Sequence, residues 1–219
     1  MLTNTAKSVC YLALTVTLIW MSTPVSAQIK ILPVGDSITA GFFNNHPAQS
    51  YRRSLAELLS QGGCAVEMVG SQEGNVGHPT SATSFEISNG FSADIVLHEG
   101  YAGHRADHFL NGFAANPGIS TTLGNLADLP DAVLIHLGTN DMNWDQDPAA
   151  TVEEIEEIVD RIVNSNLPGN QTPTVFVANL IPWYGYSSRS HAQPVNVQAK
   201  VEVLSQLICL LYTSDAADE

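Results

Sequence analysis

The chain has 219 residues, 44% of them apolar and 14% charged, and its 8 Lys and Arg against 22 Asp and Glu give a net charge of −14. That apolar share is enough for a packed core and excludes wholesale disorder, and the length suits one domain. An acidic surface repels phosphate backbones and anionic headgroups, which argues against nucleic-acid binding and polybasic membrane docking. Three cysteines at scattered positions make neither a disulfide framework nor a zinc site.

Residues 1–27 read as a secretory signal peptide. Lys7 supplies the positive flank, Val9 to Met21 is an apolar run short for a bilayer, and Val25-Ser26-Ala27 offers small residues for cleavage. An uncleaved anchor is disfavoured by that short run and by Pro24 ahead of the cleavage site. No cysteine follows the cleavage site, which argues against a lipoprotein. Cleavage would remove Lys7 and Cys10, start the mature chain at Gln28 and take the charge from −14 to −15. The expected location is secreted or periplasmic, where a disulfide is permitted; only Cys64 and Cys209 are left to form one, and Cys209 is not expected to take part.

In chain order, Ile29 to Val34, ending at Gly35, is a short apolar run expected to be a buried strand. Ser50 to Gln61 places Leu55, Leu58 and Leu59 at helical spacing, and Gly62-Gly63 stops the helix. Cys64 to Gly70 is a second strand. Residues 71–97, rich in Gly, Ser, Thr and Asn, are expected to form a long polar connection. Gly103 to Phe113 reads as helical, and Asp131 to Leu137 as a third strand. Thr151-Val152-Glu153-Glu154 has the pattern of a capping box. Behind it, Val152, Ile155, Ile158, Val159, Ile162 and Val163 form one apolar stripe, with the neighbouring glutamates on a solvated face. Thr174 to Ile181 is a fourth strand, and Asn196 to Cys209 a last helix. Strands alternating with helices, without strict polar alternation, predict a parallel sheet covered on both faces, a three-layer α/β/α sandwich. Sites in such sheets form beyond the carboxyl ends of the strands.

Three segments carry chemistry there. Gly35-Asp36-Ser37-Ile38-Thr39 follows the first strand and offers a hydroxyl at a strand-to-helix turn. His98-Glu99-Gly100-Tyr101-Ala102-Gly103-His104 brings glycines to a helix start, where a backbone amide is left to donate. Gly138-Thr139-Asn140-Asp141 follows the third strand and offers a side-chain amide. A lone turn serine is usually an N-cap. A hydroxyl nucleophile, a backbone amide and a carboxamide converging on one point are instead the parts that hold a tetrahedral oxyanion.

Leu32 to Gly41, His98 to Gly103 and His136 to Asp141 resemble, in that order, the first three blocks of the GDSL/SGNH hydrolases. The second is similar to the form in the acetylxylan-esterase branch of the carbohydrate esterases. The resemblance runs from about Ile29 to about Gln206. It implies a flavodoxin-like sandwich and ester hydrolysis without a cofactor or metal. It makes Ser37 the nucleophile, and assigns the oxyanion hole to the amides of Ser37 and Gly103, taken over Gly100, and to Asn140. The implied partner is a small-molecule or polysaccharide ester, with short acyl groups on carbohydrate favoured over lipid esters or thioesters, and the protein is expected to act as a monomer.

The family's last block, an Asp, two residues and a His that serves as general base, has no counterpart here. No histidine follows His191, and a fifth strand is not evident either. Residues 208–219 break the helical spacing before them and read as a non-native tail, so the natural gene is expected to continue past Gln206. A non-catalytic binding domain lacking its base is the alternative. His191 lacks the preceding Asp and is a weak substitute. His98 and His104 are expected to hydrogen-bond or line the pocket, with His104 named for substrate contact. His104 and His108 with Asp107 are too few ligands for a metal. His136 is expected to be a satisfied core residue, and Asp36 and Asp141 to brace turn amides. Of Trp144, Trp183, Tyr184 and Tyr186, Trp183 is named for substrate contact, although packing of loops is weighed slightly ahead of sugar stacking.

Overall fold

The fold is organised on one strand. β1 (Ile29–Gly35) is buried from Ile31 onward, as its unbroken apolar run requires of a central strand. The structure, a computed structural model, describes residues 28–43, 46–47, 50–73, 84–86, 92–94, 97–165, 167–168, 171–182 and 194–214.

On one side β1 pairs in parallel with β9 (Ala132–His136), in register from Ile31 opposite Ala132 to Gly35 opposite His136. β9 pairs in parallel with β10 (Thr174–Val177), the sheet's outer strand among the described residues. The other side of β1 is shared. β4 (Val66–Met68) pairs with Ile29 to Ile31, and β8 (Leu97–Gly100) takes over at Val34 and Gly35. β4 leads outward to β7 (Ser92–Asp94) and then to β6 (Ser84–Glu86), the latter antiparallel. β5 (Gln72–Glu73) runs antiparallel to β8. A two-residue pair, β2 (Phe42–Phe43) with β3 (His46–Pro47), forms a separate small sheet.

Helices cover both faces of this mostly parallel sheet. They are α1 (Ser37–Ala40), α2 (Tyr51–Gln61), α3 (Ala106–Asn111), α4 (Ile119–Asn125), α5 (Thr139–Asn143), α6 (Pro148–Val163) and α7 (Pro194–Ser214). Alternation along β1 divides the core. Leu32 and Val34 join the larger cluster with Val133, Ile135, Phe109, Ile155, Ile158, Ile162 and the α7 stripe Val197, Val201, Leu204 and Ile208. Ile31 faces the other way and packs with Val66, Met68 and Ala56 of α2. The result is a sandwich of the expected flavodoxin-like kind. No described helix is long and apolar enough to cross a membrane.

Several expectations are corrected by the structure. The 71–97 connection is not simply polar loop, because β5, β6 and β7 lie within it and β8 starts at Leu97. Strands of two or three residues with polar side chains carry no apolar alternation to reveal them. Residues 98–100, expected in a loop, end β8. The capping box at Thr151 is not the start of α6. Asp147 caps that helix by accepting from the Ala149 N–H at 2.8 Å, Pro148 follows in the first turn, and Thr151 lies buried inside it, donating its hydroxyl to the Asp147 carbonyl. Val163, placed on the apolar stripe, is exposed. α4 was not expected at all. α7 continues to Ser214 with Ile208 buried. Apart from these corrections, Cys64 and Cys209 are free cysteines.

Candidate active site

The site lies where β1, β8 and β9 end. Chain leaving β1 turns at Asp36, whose carboxylate accepts from the Ile38 N–H at 2.8 Å and so caps α1. Ser37 is the first residue of α1 and is half-buried. Its Oγ has no hydrogen-bond partner among the described residues. A hydroxyl at the start of a helix sits near the positive end of that helix's dipole.

β8 brings the second segment against α1. The Tyr101 N–H donates to the Gly35 carbonyl at 2.8 Å. A Cβ on Gly100 would meet the Ala40 nitrogen at 2.5 Å and the Ala40 Cα at 2.9 Å, so only glycine allows this approach. The Gly100 N–H is spent on the His98 Nδ1 at 2.9 Å. Gly103 differs in every respect. It is exposed, has φ +80°, and a Cβ there would meet nothing within 4 Å. Its N–H makes no hydrogen bond among the described residues. Of the two glycines, Gly103 therefore has the amide open to a ligand.

Asn140, in α5, connects the segments. Its Nδ2 donates to the His104 carbonyl at 2.8 Å and reaches the Asp36 carboxylate at 3.4 Å. One nitrogen thus touches the residue before Ser37 and the residue after Gly103. Asn140 therefore ties the segments that carry Ser37 and Gly103 to one end of the sheet.

The supporting groups are buried. Asp141 is fully buried and accepts from the Ala106 N–H at 3.0 Å. Asp36 and Asp141 both brace backbone amides, and burial pushes the carboxyl of each up to about 7. The Tyr101 hydroxyl donates to buried Glu99 at 2.7 Å, and Glu99 also accepts from the Ser71 N–H, which fixes the loop that follows β8.

The histidines are placed as follows. His98 is buried and accepts from Gly100. The His104 ring contacts the Ala102 and Phe113 carbonyls at 3.3 and 3.2 Å and packs edge-on against His108 and Phe113. What His104 presents to Asn140 is its carbonyl. His108 accepts from the Arg105 N–H and stacks on Phe113, with ring centroids 4.1 Å apart. His136 is a core residue, but not a satisfied one: neither ring nitrogen has a hydrogen-bond partner among the described residues, and burial lowers its pKa. Trp144 is 48% exposed. Trp183, Tyr184, Tyr186 and His191 lie outside the described residues.

One cluster not foreseen in the sequence stands behind the site. Carboxylate oxygens of Asp107, Asp141 and Glu154 lie within 4.8 Å of one another. Arg105 holds Asp107 through two hydrogen bonds, at 3.0 and 2.7 Å, and Asp141 and Glu154 receive the Ala106 and Asp107 N–H groups. The cluster caps and anchors the start of α3. Its members come from three separate helices, so no sequence spacing announces it.

A hydroxyl, an open amide and a carboxamide near one strand end, beside buried carboxyls, are the kinds of group that acyl transfer uses. Residues 34–209 match the family model described as GDSL-like Lipase/Acylhydrolase family. The chain belongs to that family and is an ester hydrolase. Among solved structures it is similar to the Clostridium thermocellum family 3 carbohydrate esterase, at 26% identity and TM-score 0.56, covering 85% of this chain and 74% of that one. It is also similar in fold to a carbohydrate esterase family 3 protein from Talaromyces cellulolyticus, at 23% identity and TM-score 0.56, covering 83% and 70%. AlinE4, an SGNH-hydrolase family esterase, shares the fold at 16% identity and TM-score 0.52, covering 85% and 73%. No curated protein sequence matches the chain.

Proposed function

We propose that the protein is a secreted or periplasmic serine esterase that removes short acyl groups from carbohydrate. Ser37 Oγ attacks the ester carbonyl. The Ser37 and Gly103 amides hold the oxyanion, joined by Asn140 Nδ2 as it exchanges its long 3.4 Å contact with Asp36 for the substrate oxygen; the alcohol leaves, and water releases the acyl group from Ser37. The observation that carries this reading is the Asn140 side chain, which bridges Asp36 and His104 and so draws the Ser37 and Gly103 segments together. The carbohydrate preference is supported by the form of the His98 to Gly103 segment and by the likeness to the Clostridium thermocellum enzyme. The signal-peptide reading of residues 1–27 supports export, the acidic composition supports a protein that avoids nucleic acid and anionic membranes, and we propose that it acts as a monomer.

Among the described residues no side chain accepts a hydrogen bond from Ser37 Oγ. Without a general base in contact the hydroxyl is a poor nucleophile, so slow ester hydrolysis is expected.

The test is acetate release from acetylated xylo-oligosaccharide, together with fluorophosphonate labelling, on the purified protein. Release that is lost in Ser37→Ala supports the reading. A protein that neither labels nor hydrolyses any short ester, and is indistinguishable from Ser37→Ala, overturns it.

A further inference from the structure

Helix α1 carries Ser37 at its first position and is only four residues long. Its internal bonds are few: the Ala40 N–H donates to the Asp36 carbonyl, and the Gly41 N–H to the Ser37 carbonyl. So short a helix has little stiffness of its own and must be held from both ends. Asp36 holds the front. The far end presents carbonyls that the helix cannot satisfy.

The start of α2 supplies the donors. Arg52 is 3% exposed. Its Nε donates to the Thr39 carbonyl at 3.1 Å and its Nη2 to the Ala40 carbonyl at 3.4 Å. Ser50 Oγ donates to the same Thr39 carbonyl at 2.9 Å and sits 3.3 Å from Arg52 Nε. A buried guanidinium is costly unless its donors are used, and here it lies at the negative end of the nucleophile's helix, where a cation is favoured. The β8 segment bears on the same turn, with Gly100 packed against the Ala40 backbone. A tilt of α1 would therefore move Ser37 relative to the oxyanion donors.

We infer that Arg52 is a positioning residue for catalysis: its guanidinium clamps the carboxyl end of α1 and thereby sets where the Ser37 hydroxyl and amide point. The inference rests on the reading of Ser37 as nucleophile and adds to it a residue that touches neither substrate nor reacting atoms. The planar fork explains why arginine is used, since lysine offers charge but not two donors at fixed separation.

The test compares Arg52→Met and Arg52→Lys with wild type, using Arg53→Met as the control. Arg53 is the exposed neighbour that pairs with Glu57 on the surface. Ester hydrolysis is normalised to folded protein, and amide hydrogen exchange is followed along α1. Arg52→Met is expected to lower kcat by about 10- to 100-fold with KM within about twofold, since a misplacement of about 1 Å costs on that order. Arg52→Lys should recover part of the loss, and Arg53→Met should match wild type. Exchange at Ala40 and Gly41 should quicken in Arg52→Met while the core of β1 stays protected.

Unchanged exchange at Ala40 and Gly41 overturns the clamp. Faster exchange with an unchanged kcat per folded molecule reduces Arg52 to a structural residue and overturns the inference. A wild type inert toward every ester defeats the nucleophile reading and the catalytic half of this inference with it, while exchange still decides the clamp.

Discussion

Gly100→Ala and Gly103→Ala, three residues apart, should fail in different ways. At Gly100 the added methyl meets backbone: the Ala40 nitrogen at 2.5 Å, the Ala40 Cα at 2.9 Å and the Thr39 carbonyl carbon at 3.0 Å. No side chain can rotate away, so β8 and α1 must separate. Overpacking of this kind costs about 1–3 kcal/mol. For a domain of this size that is a fall in Tm of roughly 2–12 °C. The separation also displaces Ser37 from Gly103, and hydrolysis should fall by about 100-fold. At Gly103 the methyl has open space, but φ +80° costs a side-chain-bearing residue about 1–2 kcal/mol. Relaxation of that strain turns the peptide and withdraws the amide, so activity should fall with a smaller loss of Tm. Denaturant unfolding and initial rates on 4-nitrophenyl acetate measure both effects. A Gly100→Ala protein with wild-type Tm and rate would refute the close approach of β8 to α1 on which the site's assembly depends.

Asn140→Ala removes one oxyanion donor and should lower kcat by about 10²–10³, with KM little changed, in steady-state ester hydrolysis. Asn140→Asp should be no better, because it replaces a donor with an acceptor. Stability should fall as pH rises from about 4 to about 7. Burial raises the folded-state carboxyls of Asp36 and Asp141 to about 7, so across that window the native state holds protons that the unfolded chain has released. Each group contributes a slope of up to about 1.4 kcal/mol per pH unit, lost above its folded-state value. Asp36→Asn should flatten the dependence of unfolding free energy on pH, and an unchanged profile would contradict the burial argument.

How much of this was legible in the sequence depended on whether a feature is local. β1 and β9 announce themselves as continuous apolar runs because central strands are covered on both faces, and α2 and α6 through apolar residues at helical spacing. The motif segments follow strand ends, and the resemblance to the family's blocks is what named Ser37, Gly103 and Asn140 among their residues. α4 (ISTTLGN) could not, because Ser, Thr and Gly favour no helix and packing of Ile119 and Leu123 forms it instead. The start of α6 was misplaced although Asp147-Pro148 is an N-cap signal, because Thr151 and Glu154 mimic a second one. The contacts of Arg52 with α1, the Asp107–Asp141–Glu154 cluster and the His136 ring, which has no partner among the described residues, all depend on residues distant in sequence meeting in space, which spacing alone does not encode.

The account stands on the sharing of one pocket by the Ser37 amide, the Gly103 amide and the Asn140 carboxamide. An ¹⁵N–¹H NMR titration of the 219-residue chain with methylboronic acid, a small mimic of the tetrahedral oxyanion, reads all three at once. The account predicts that the three signals shift together along one binding curve, and that the shifts vanish in Ser37→Ala. If the Gly103 or Asn140 signal stays fixed while Ser37 responds, the three groups do not form one oxyanion hole.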